Sequence, residues 1–356
     1  EKVQTIYNYI LENIRYRSVA FLQSGLIPQK ASTTISEKQG DCKDVSTLFV
    51  ALCKTQGIDA NLVLVNTRNN GHRQMMLPSI DFNHCIAKVA LAGEEHFLEL
   101  TSENLPFGVG GPSTHRTFVL DIPQQVEKTA QASILEPDNL LLDKVIRETE
   151  VSFSDGNMIV SKKSMKTGNA ASSMRETYEN IGADMQYKNM QEAINSEAPG
   201  VKLLEVAFQE GLNDNSPAIH YTYSYRIPDV FTDISDLKIF ELPFADNLSN
   251  PSFLSTDERV YPIELWEYFG RDLEKESLSI EIPEGYTLAD GMESETLETK
   301  NIRYQLDLKT EAGRLLITRQ FELLDDIVLP EDYPDFKTTL EQVVKSDNRK
   351  IAFKKS

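Results

Sequence analysis

Long apolar runs are missing from this 356-residue sequence. The longest, such as NLVLV and NLLLDKVI, fall far short of the roughly 20 apolar residues that a membrane-spanning helix needs. The opening EKVQTIYNYI also lacks the basic region and apolar stretch of a targeting signal. The sequence therefore predicts no membrane span. Because the first residue is Glu rather than Met, we expect a piece of a longer protein, so the missing signal says little about the compartment.

Cysteine is also scarce, since the chain contains only Cys42, Cys53 and Cys85. These three cannot all pair with one another. Cys42 and Cys53 fall in one predicted helix, about 16 Å apart along its axis, which is too far for a disulfide or a shared metal ion. The sequence thus predicts no metal centre and implies no organic cofactor, although so acidic a chain leaves calcium dependence open.

Positive charge is scarce in the second part of the chain. Residues 1–128 carry 12 Lys and Arg against 13 Asp and Glu, whereas residues 129–356 carry 24 against 42. Binding to phosphate backbones depends on Lys and Arg, and no basic stripe with interleaved aromatic residues is present, which argues against nucleic acid as a partner. The charge difference predicts a first domain over 1–128, a linker over 129–142 and an acidic domain over 143–356.

The first part reads as helices followed by antiparallel strands. Apolar residues recur at helical spacing in EKVQTIYNYILENIRY, and residues 17–40 are a polar, proline-containing stretch. The apolar stripe of CKDVSTLFVALCKTQG and the glycine at its end predict a helix from about Cys42 to Gln56. IDANLVLVNT predicts a strand, and DFNHCIAKVALAGEEHFLELTS predicts two strands joined by a turn at Gly93.

The second part contains many short β-like runs, among them KVIRETEVSFS, AIHYTYSYRI and GRLLITRQFELL. Only residues 170–195 and 336–345 have a helical pattern there. The runs are separated by Gly, Pro, Asn and Asp, which is typical of antiparallel sandwiches. The sequence therefore predicts an α+β protein whose second domain is β-sandwich-like, with a helical insertion over 170–195.

Cys42 is the candidate nucleophile because it stands at the start of a predicted helix. A thiol attacks acyl carbons as thiolate, and a helix N-terminus favours that anion by about 0.3–1 kcal/mol. Since this is too little to activate a thiol with a pKa near 8.5, an imidazole is needed. His84 lies within a strand predicted to be buried, where its ring needs a partner. Glu99, on the following strand, can reach the far nitrogen of that ring if the strands pair.

Each of these residues also has a purely structural interpretation. Cys42 can be a small buried residue at a helix start, His84 a satisfied core histidine, and Glu99 a solvated strand residue. Cys53 and Cys85 are most simply core residues, because Cys53 follows the helix stripe and Cys85 points to the strand face opposite to His84.

Several motifs resemble the transglutaminase-like superfamily. They are GDCKDVSTLFVALCKTQGIDANLVLVNT, FNHCIAKV and HFLELTSENLPFG, and the resemblance covers roughly residues 1–125. The later stretches YPIELWEYF, IEIPEGYTL and YPDFKTTLEQVVKSDNRKIAF are similar to the C-terminal domain of one bacterial branch, in which a transglutaminase-like core precedes a β-rich domain of unassigned function. The branch usually has another β-domain before the core, which supports truncation, and it implies a periplasmic or secreted protein.

The resemblance implies a papain-like core with Cys42 as nucleophile and His84 as general base. The third residue is normally Asp in a segment similar to LDPT, whereas LELT here carries Glu99. Glu is one methylene longer, so it can orient the imidazole only if the strand pairing or the rotamer compensates. For the oxyanion we expect the backbone N–H of Cys42 and a side chain of the preceding loop, with Gln23 as the candidate.

The predicted function is cysteine-dependent acyl transfer or hydrolysis on peptide or protein amides. Cys42 attacks the carbonyl, His84 protonates the leaving amine, and water or a second amine resolves the thioester. Water as the acceptor makes a protease or amidase, whereas an amine makes a cross-linking enzyme. The alternative is a non-catalytic binding or scaffold protein that retains the transglutaminase-like core for packing.

Overall fold

The computed structural model describes the chain except for residues 19–24, 26, 71–80, 126, 136–142, 196–199, 215, 250 and 290–292. The chain divides into two compact units, Glu1–Leu141 and Leu142–Ser356. Both units contain helices as well as sheets, and the second is rich in strands. The predicted α+β class is confirmed.

The first unit consists of helices packed on a sheet. Its helices are α1 (Lys2–Asn13), α2 (Ala31–Glu37) and α3 (Cys42–Thr55), and its strands are β1 (Arg15–Tyr16), β2 (Gln39–Gly40), β3 (Ala60–Asn66), β4 (His84–Leu91), β5 (Glu94–Leu98), β6 (Thr117–Ile122) and β7 (Gln131–Leu135). The main sheet has the order β5-β4-β3-β6-β7 and is antiparallel throughout. β1 and β2 form a separate parallel pair.

One hydrophobic core lies between the helices and the sheet. The helical stripes predicted from the sequence face inward, so that Tyr7 and Ile10 of α1 and Phe49 of α3 are fully buried. They belong to one cluster with Val89 of β4 and Leu98 of β5. Burial of an apolar side chain of this size contributes about 1.5–3 kcal/mol, and this core therefore fixes α3 on the sheet.

Among the elements of the first unit that the sequence does not predict are α2 and β7. α2 forms within the polar stretch 17–40, and β7 forms within 129–142, the predicted linker. α2 buries only Thr34, and β7 buries only Leu135. Because each buries so little, neither produces an apolar pattern, and β7 is held by its backbone pairing with β6. Residues 131–135 are thus part of the sheet rather than of a linker.

The second unit is built mainly of strands. Its helices are α4 (Gly168–Tyr178), α5 (Ala183–Ile194) and α6 (Tyr333–Asp347), and its strands are β8 (Lys144–Ser154), β9 (Asn157–Thr167), β10 (Lys202–Glu210), β11 (Ala218–Ile227), β12 (Thr232–Ile234), β13 (Leu237–Glu241), β14 (Ile263–Glu264), β15 (Leu273–Glu281), β16 (Tyr286–Leu288), β17 (Glu295–Glu298), β18 (Ile302–Glu311), β19 (Arg314–Leu323), β20 (Ile327–Val328) and β21 (Lys350–Lys355). An eight-stranded sheet has the order β10-β11-β9-β8-β15-β19-β18-β17, and a four-stranded sheet has the order β12-β13-β21-β16. β14 pairs with β20.

The two larger sheets of this unit share one core, as expected of a sandwich-like arrangement. The ring of Phe153 in β8 lies 5.4 Å from that of Phe240 in β13 and 6.2 Å from that of Phe353 in β21. The helical insertion consists of α4 and α5, with Gly182 as the N-cap of the second helix. One pair of neighbours, β8 and β15, is parallel rather than antiparallel. These two strands are far apart in the chain, and the residue pattern of neither strand indicates that they pair.

A network of charged side chains, most of them buried, crosses the second unit. Lys162 and Glu276 pair at 2.5 Å with both side chains fully buried, and Arg319 pairs with Asp347 at 3.1 Å. The network combines four basic residues, Arg147, Lys162, Arg271 and Arg319, with four acidic ones, Asp246, Glu274, Glu276 and Asp347. Because the signs balance, each buried charge is compensated within the network.

In the described parts of the chain, no helix has both the length and the apolar character that crossing a membrane requires.

Candidate active site

The N-terminal cap of α3 sets the position of Cys42, the first residue of that helix. The side chain of Asp41, the N-cap, accepts hydrogen bonds from the backbone N–H groups of Lys43 at 3.1 Å and Asp44 at 3.2 Å. In return, Asp44 Oδ2 accepts the Asp41 N–H at 3.1 Å. These reciprocal bonds satisfy donors that a helix start leaves open, and they hold Cys42 in a defined place.

The chain before α3 approaches it closely. A Cβ at Gly40 would lie 2.7 Å from the Cβ of Asp44, so this position has no room for a side chain. The parallel pairing of β1 with β2 puts Tyr16 beside Gly40. As a result, the half-buried Tyr16 packs against the apolar cluster that contains Cys42. A two-residue strand has no sequence pattern, and the motifs gave no signal for Tyr16.

His84 is the first residue of β4, and its side chain lies beside that of Cys42, which acts to raise the pKa of the imidazole. α3 is held against this strand by Ser46, whose hydroxyl donates to the backbone carbonyl of Cys85 at 3.2 Å. The side chain of His84 is 15% exposed, while Cys42 is 5% exposed. The pair is therefore largely shielded from water, with the imidazole on the more open side.

Glu99 follows β5 directly, and its two carboxylate oxygens have different hydrogen-bond partners. Its Oε2 lies 2.8 Å from Nε2 of His84, which leaves Nδ1 as the ring nitrogen for the thiol. Its Oε1 accepts the backbone N–H of Thr101 at 2.9 Å and the Thr101 hydroxyl at 2.7 Å. The structure thus brings Cys42, His84 and Glu99 together. Thr101, which the motifs did not identify, fixes the position of the Glu99 carboxylate.

His84 and Glu99 each shift the pKa of the other so that its charged form is favoured. Burial by itself lowers the pKa of His84, but the charge of Glu99, the nearby Cys42 side chain and the hydrogen bond with Glu99 outweigh it and raise the pKa from 6.5 to about 10. Burial likewise acts to raise the pKa of Glu99, but His84 and the hydrogen bonds from Thr101 lower it from 4.5 to about 2. At neutral pH the site therefore contains an imidazolium beside a carboxylate.

The three cysteines are buried free thiols in different surroundings. Burial raises the pKa of Cys53 to about 11. Burial and the charge of Cys42 raise the pKa of Cys85 further still. Both of these thiols therefore stay protonated at neutral pH, whereas Cys42 is the cysteine that lies beside His84.

Gln23, the candidate oxyanion donor, lies outside the described residues. Among the residues that are described, no group of three or more His, Cys, Asp or Glu side chains is arranged to hold a metal ion.

Comparisons with known proteins agree with the fold and with the motifs. Residues 1–98 match the model of the Transglutaminase-like superfamily, and residues 236–353 match that of a domain of unknown function with solved structures, DUF3858. The first part of the chain is therefore similar to the transglutaminase-like superfamily, and the resemblance seen in the sequence is confirmed.

One similar solved structure is that of a "putative protease" from Parabacteroides distasonis. The TM-score is 0.54 and the identity 13%, over 99% of this chain and 51% of that one. At this identity the likeness concerns the fold, and the chain spans about half the length of that protein. The search of curated proteins found no match.

Proposed function

We propose that the chain is a cysteine-dependent enzyme that transfers or hydrolyses the acyl group of peptide or protein amides. The observation that carries this proposal is the hydrogen bond between His84 and Glu99, with 2.8 Å between Nε2 and Oε2, on an imidazole that lies beside Cys42. A thiol at a capped helix start, an imidazole and an orienting carboxylate are the parts that nucleophilic acyl transfer requires. The superfamily match of residues 1–98 supports the same chemistry.

The proposed reaction has two halves. In the first, Sγ of Cys42 bonds to the carbonyl carbon, the C–N bond breaks, and His84 gives its proton to the leaving amine. In the second, water or an amine attacks the thioester, His84 takes up a proton from it, and the C–S bond breaks to restore the thiolate. Glu99 stays ionised throughout and keeps the imidazole oriented. We assign the backbone N–H of Cys42 to the oxyanion.

Replacing Cys42 by Ala tests this proposal. We expect Cys42→Ala to abolish peptide amide hydrolysis and acyl transfer to an added amine, while the far-ultraviolet circular dichroism and the melting temperature change little. The matched control is Cys53→Ala, which removes a sulfur from the core of α3 and should mainly lower stability. Turnover assays with and without an amine acceptor separate hydrolysis from transfer.

Alkylation provides a second measurement that does not need the natural substrate. Iodoacetamide should label Cys42 of the native protein faster than Cys53 and Cys85, and labelling should persist well below the ordinary thiol pKa. Activity that survives Cys42→Ala would refute the nucleophile. An unreactive Cys42 together with inert amides would favour the non-catalytic scaffold.

A further inference from the structure

An apolar strip of the main sheet begins beside the proposed nucleophile. Cys42 forms a buried cluster with Phe82 and Cys85, and half-buried side chains from two further strands pack against it. These side chains, which we call the apolar strip, are Leu62, Leu64, Phe118 and Leu120. Because they are only half-buried in the whole chain, part of the strip is accessible to solvent.

The strand register aligns the strip with the site. Cys85 pairs with Leu64, and Leu64 pairs with Leu120. Directly paired residues point to the same face of a sheet, so these three form a row across β4, β3 and β6. Phe118 lies two residues from Leu120 on the same face, and its ring stacks on that of Phe82 at 6.0 Å.

The opposite face of the same strands carries a buried apolar cluster, Val63, Val65, Ile86 and Val119, and in addition charged side chains. There Lys88 of β4 pairs with Glu95 at 2.8 Å and also with Asp121 of β6. Asp121 in turn accepts a hydrogen bond from Asn61 at 2.9 Å. The charged groups of these strands thus lie away from the strip, which offers a ligand aliphatic and aromatic surface.

Building on the proposed function, we infer that the apolar strip binds a bulky apolar side chain of the peptide substrate and thereby selects which amide reaches Cys42. Strands in a sheet are about 4.8 Å apart, so Leu120 lies about 10 Å from β4. An extended peptide advances about 3.4 Å per residue. The selected side chain therefore lies within about three residues of the attacked amide.

The strip distinguishes substrates by the free energy of removing their side chains from water. A Leu or Phe side chain gains free energy when it covers apolar surface, whereas a Lys or Asp side chain at the same place loses water without finding a partner. Differences in an apolar pocket change specificity by about tenfold or more. We therefore expect kcat/KM for a Leu peptide to exceed that for the matched Lys peptide about tenfold.

The test uses the intact chain and peptides that differ in one residue, Leu or Lys, at each of three positions on either side of one amide. Turnover gives kcat/KM, and the protection of Cys42 from iodoacetamide by each peptide reports binding without turnover. We expect at least one position to favour Leu about tenfold. Leu120→Ser should reduce that preference to about twofold or less, and Leu64→Thr is the second variant in case the first does not fold.

The matched control is Leu91→Ser. Leu91 is also half-buried and lies on β4, but it is six residues beyond Cys85, about 20 Å away along the strand. It should keep the full preference for Leu. If Cys42 is reactive but all peptides give equal rates and equal protection, the proposed role of the apolar strip is wrong, while the proposed function stands. An unreactive Cys42 would instead overturn the proposed function, and the strip with it.

Discussion

At the scale of single residues, Glu99 reaches His84 from a position where the superfamily normally has the shorter Asp. One carboxylate oxygen lies 2.8 Å from His84, and the other accepts two hydrogen bonds from Thr101. Thr101 therefore holds the extra methylene in one conformation. The extra length of the Glu99 side chain is thus accommodated by a residue only two positions further along the chain.

Replacing Glu99 by Gln tests this arrangement. The amide keeps the shape but not the charge that raises the pKa of His84 to about 10. We expect the His84 titration, followed by proton chemical shifts of the ring, to move down toward neutral pH. The rate of amide turnover should fall by roughly 10²- to 10⁴-fold, the range for general acid–base catalysis, and most steeply above the new pKa, where the imidazole is neutral.

Two further variants make this result interpretable. Glu95→Gln is the control, because Glu95 lies on β5, the strand that Glu99 follows, and pairs with Lys88 rather than with His84. It should leave both the titration and the rate unchanged. Glu99→Asp cannot reach His84 and Thr101 together without a backbone shift, so its rate should lie between those of wild type and Glu99→Gln. Equal rates for all of these proteins would show that Glu99 has no part in turnover.

The sequence identified the residues whose chemistry is distinctive, and it missed those that only hold them. A cysteine at a helix start and a histidine within a buried strand stand out by type and position. Tyr16 and Thr101 belong to common types, and their roles depend on contacts that no spacing encodes: a two-residue parallel strand pair and a turn after β5.

At the scale of elements, the start of α3 also forms a hydrogen bond with a more distant part of the chain. Asp44 accepts the backbone N–H of Asp41 at 3.1 Å with one oxygen and that of Gln29 at 2.9 Å with the other. The cap thus joins the helix to the chain before α2. A helix that buries its stripe under the sheet and is fixed at its first turn presents Cys42 in one orientation.

Removing this cap should affect both stability and reactivity. We expect Asp44→Ala to lower the free energy of unfolding by about 0.5–2 kcal/mol, as for other caps, measured by urea denaturation. The alkylation rate of Cys42 should fall as well, because the first turn of α3 loses its anchor. Asp59→Ala, an exposed aspartate of the same unit, is the control and should change neither quantity. An intact alkylation rate in Asp44→Ala would show that the cap does not position the thiol.

Elements with strong apolar periodicity were predictable, and those without it were not. The helix expected from Cys42 to Gln56 spans Cys42–Thr55. The helical pattern over 170–195 forms as two helices, because the chain turns between Tyr178 and Ala183. β7 was missed because three of its residues, Gln131, Ala132 and Ser133, are exposed, so that the strand has no apolar alternation.

At the scale of the whole molecule, the division into Glu1–Leu141 and Leu142–Ser356 can be tested by limited proteolysis. We expect the first cuts in the intact chain to fall within residues 123–142 but outside β7, because domain boundaries are crossed by few contacts. Mass spectrometry would then find two fragments that resist further cleavage. First cuts within residues 42–101, with the boundary protected, would contradict this division.

The balanced charge network inside the second unit has a consequence for how the protein meets other molecules. Its four basic and four acidic residues cancel, so the excess of 42 Asp and Glu over 24 Lys and Arg in residues 129–356 comes from outside the network. In dilute buffer, copies of the protein repel one another and cationic molecules are drawn in, over a Debye length of about 10 Å at 0.1 M salt. Added salt therefore shortens the range of these encounters, while the ion pairs buried within the unit are screened much less.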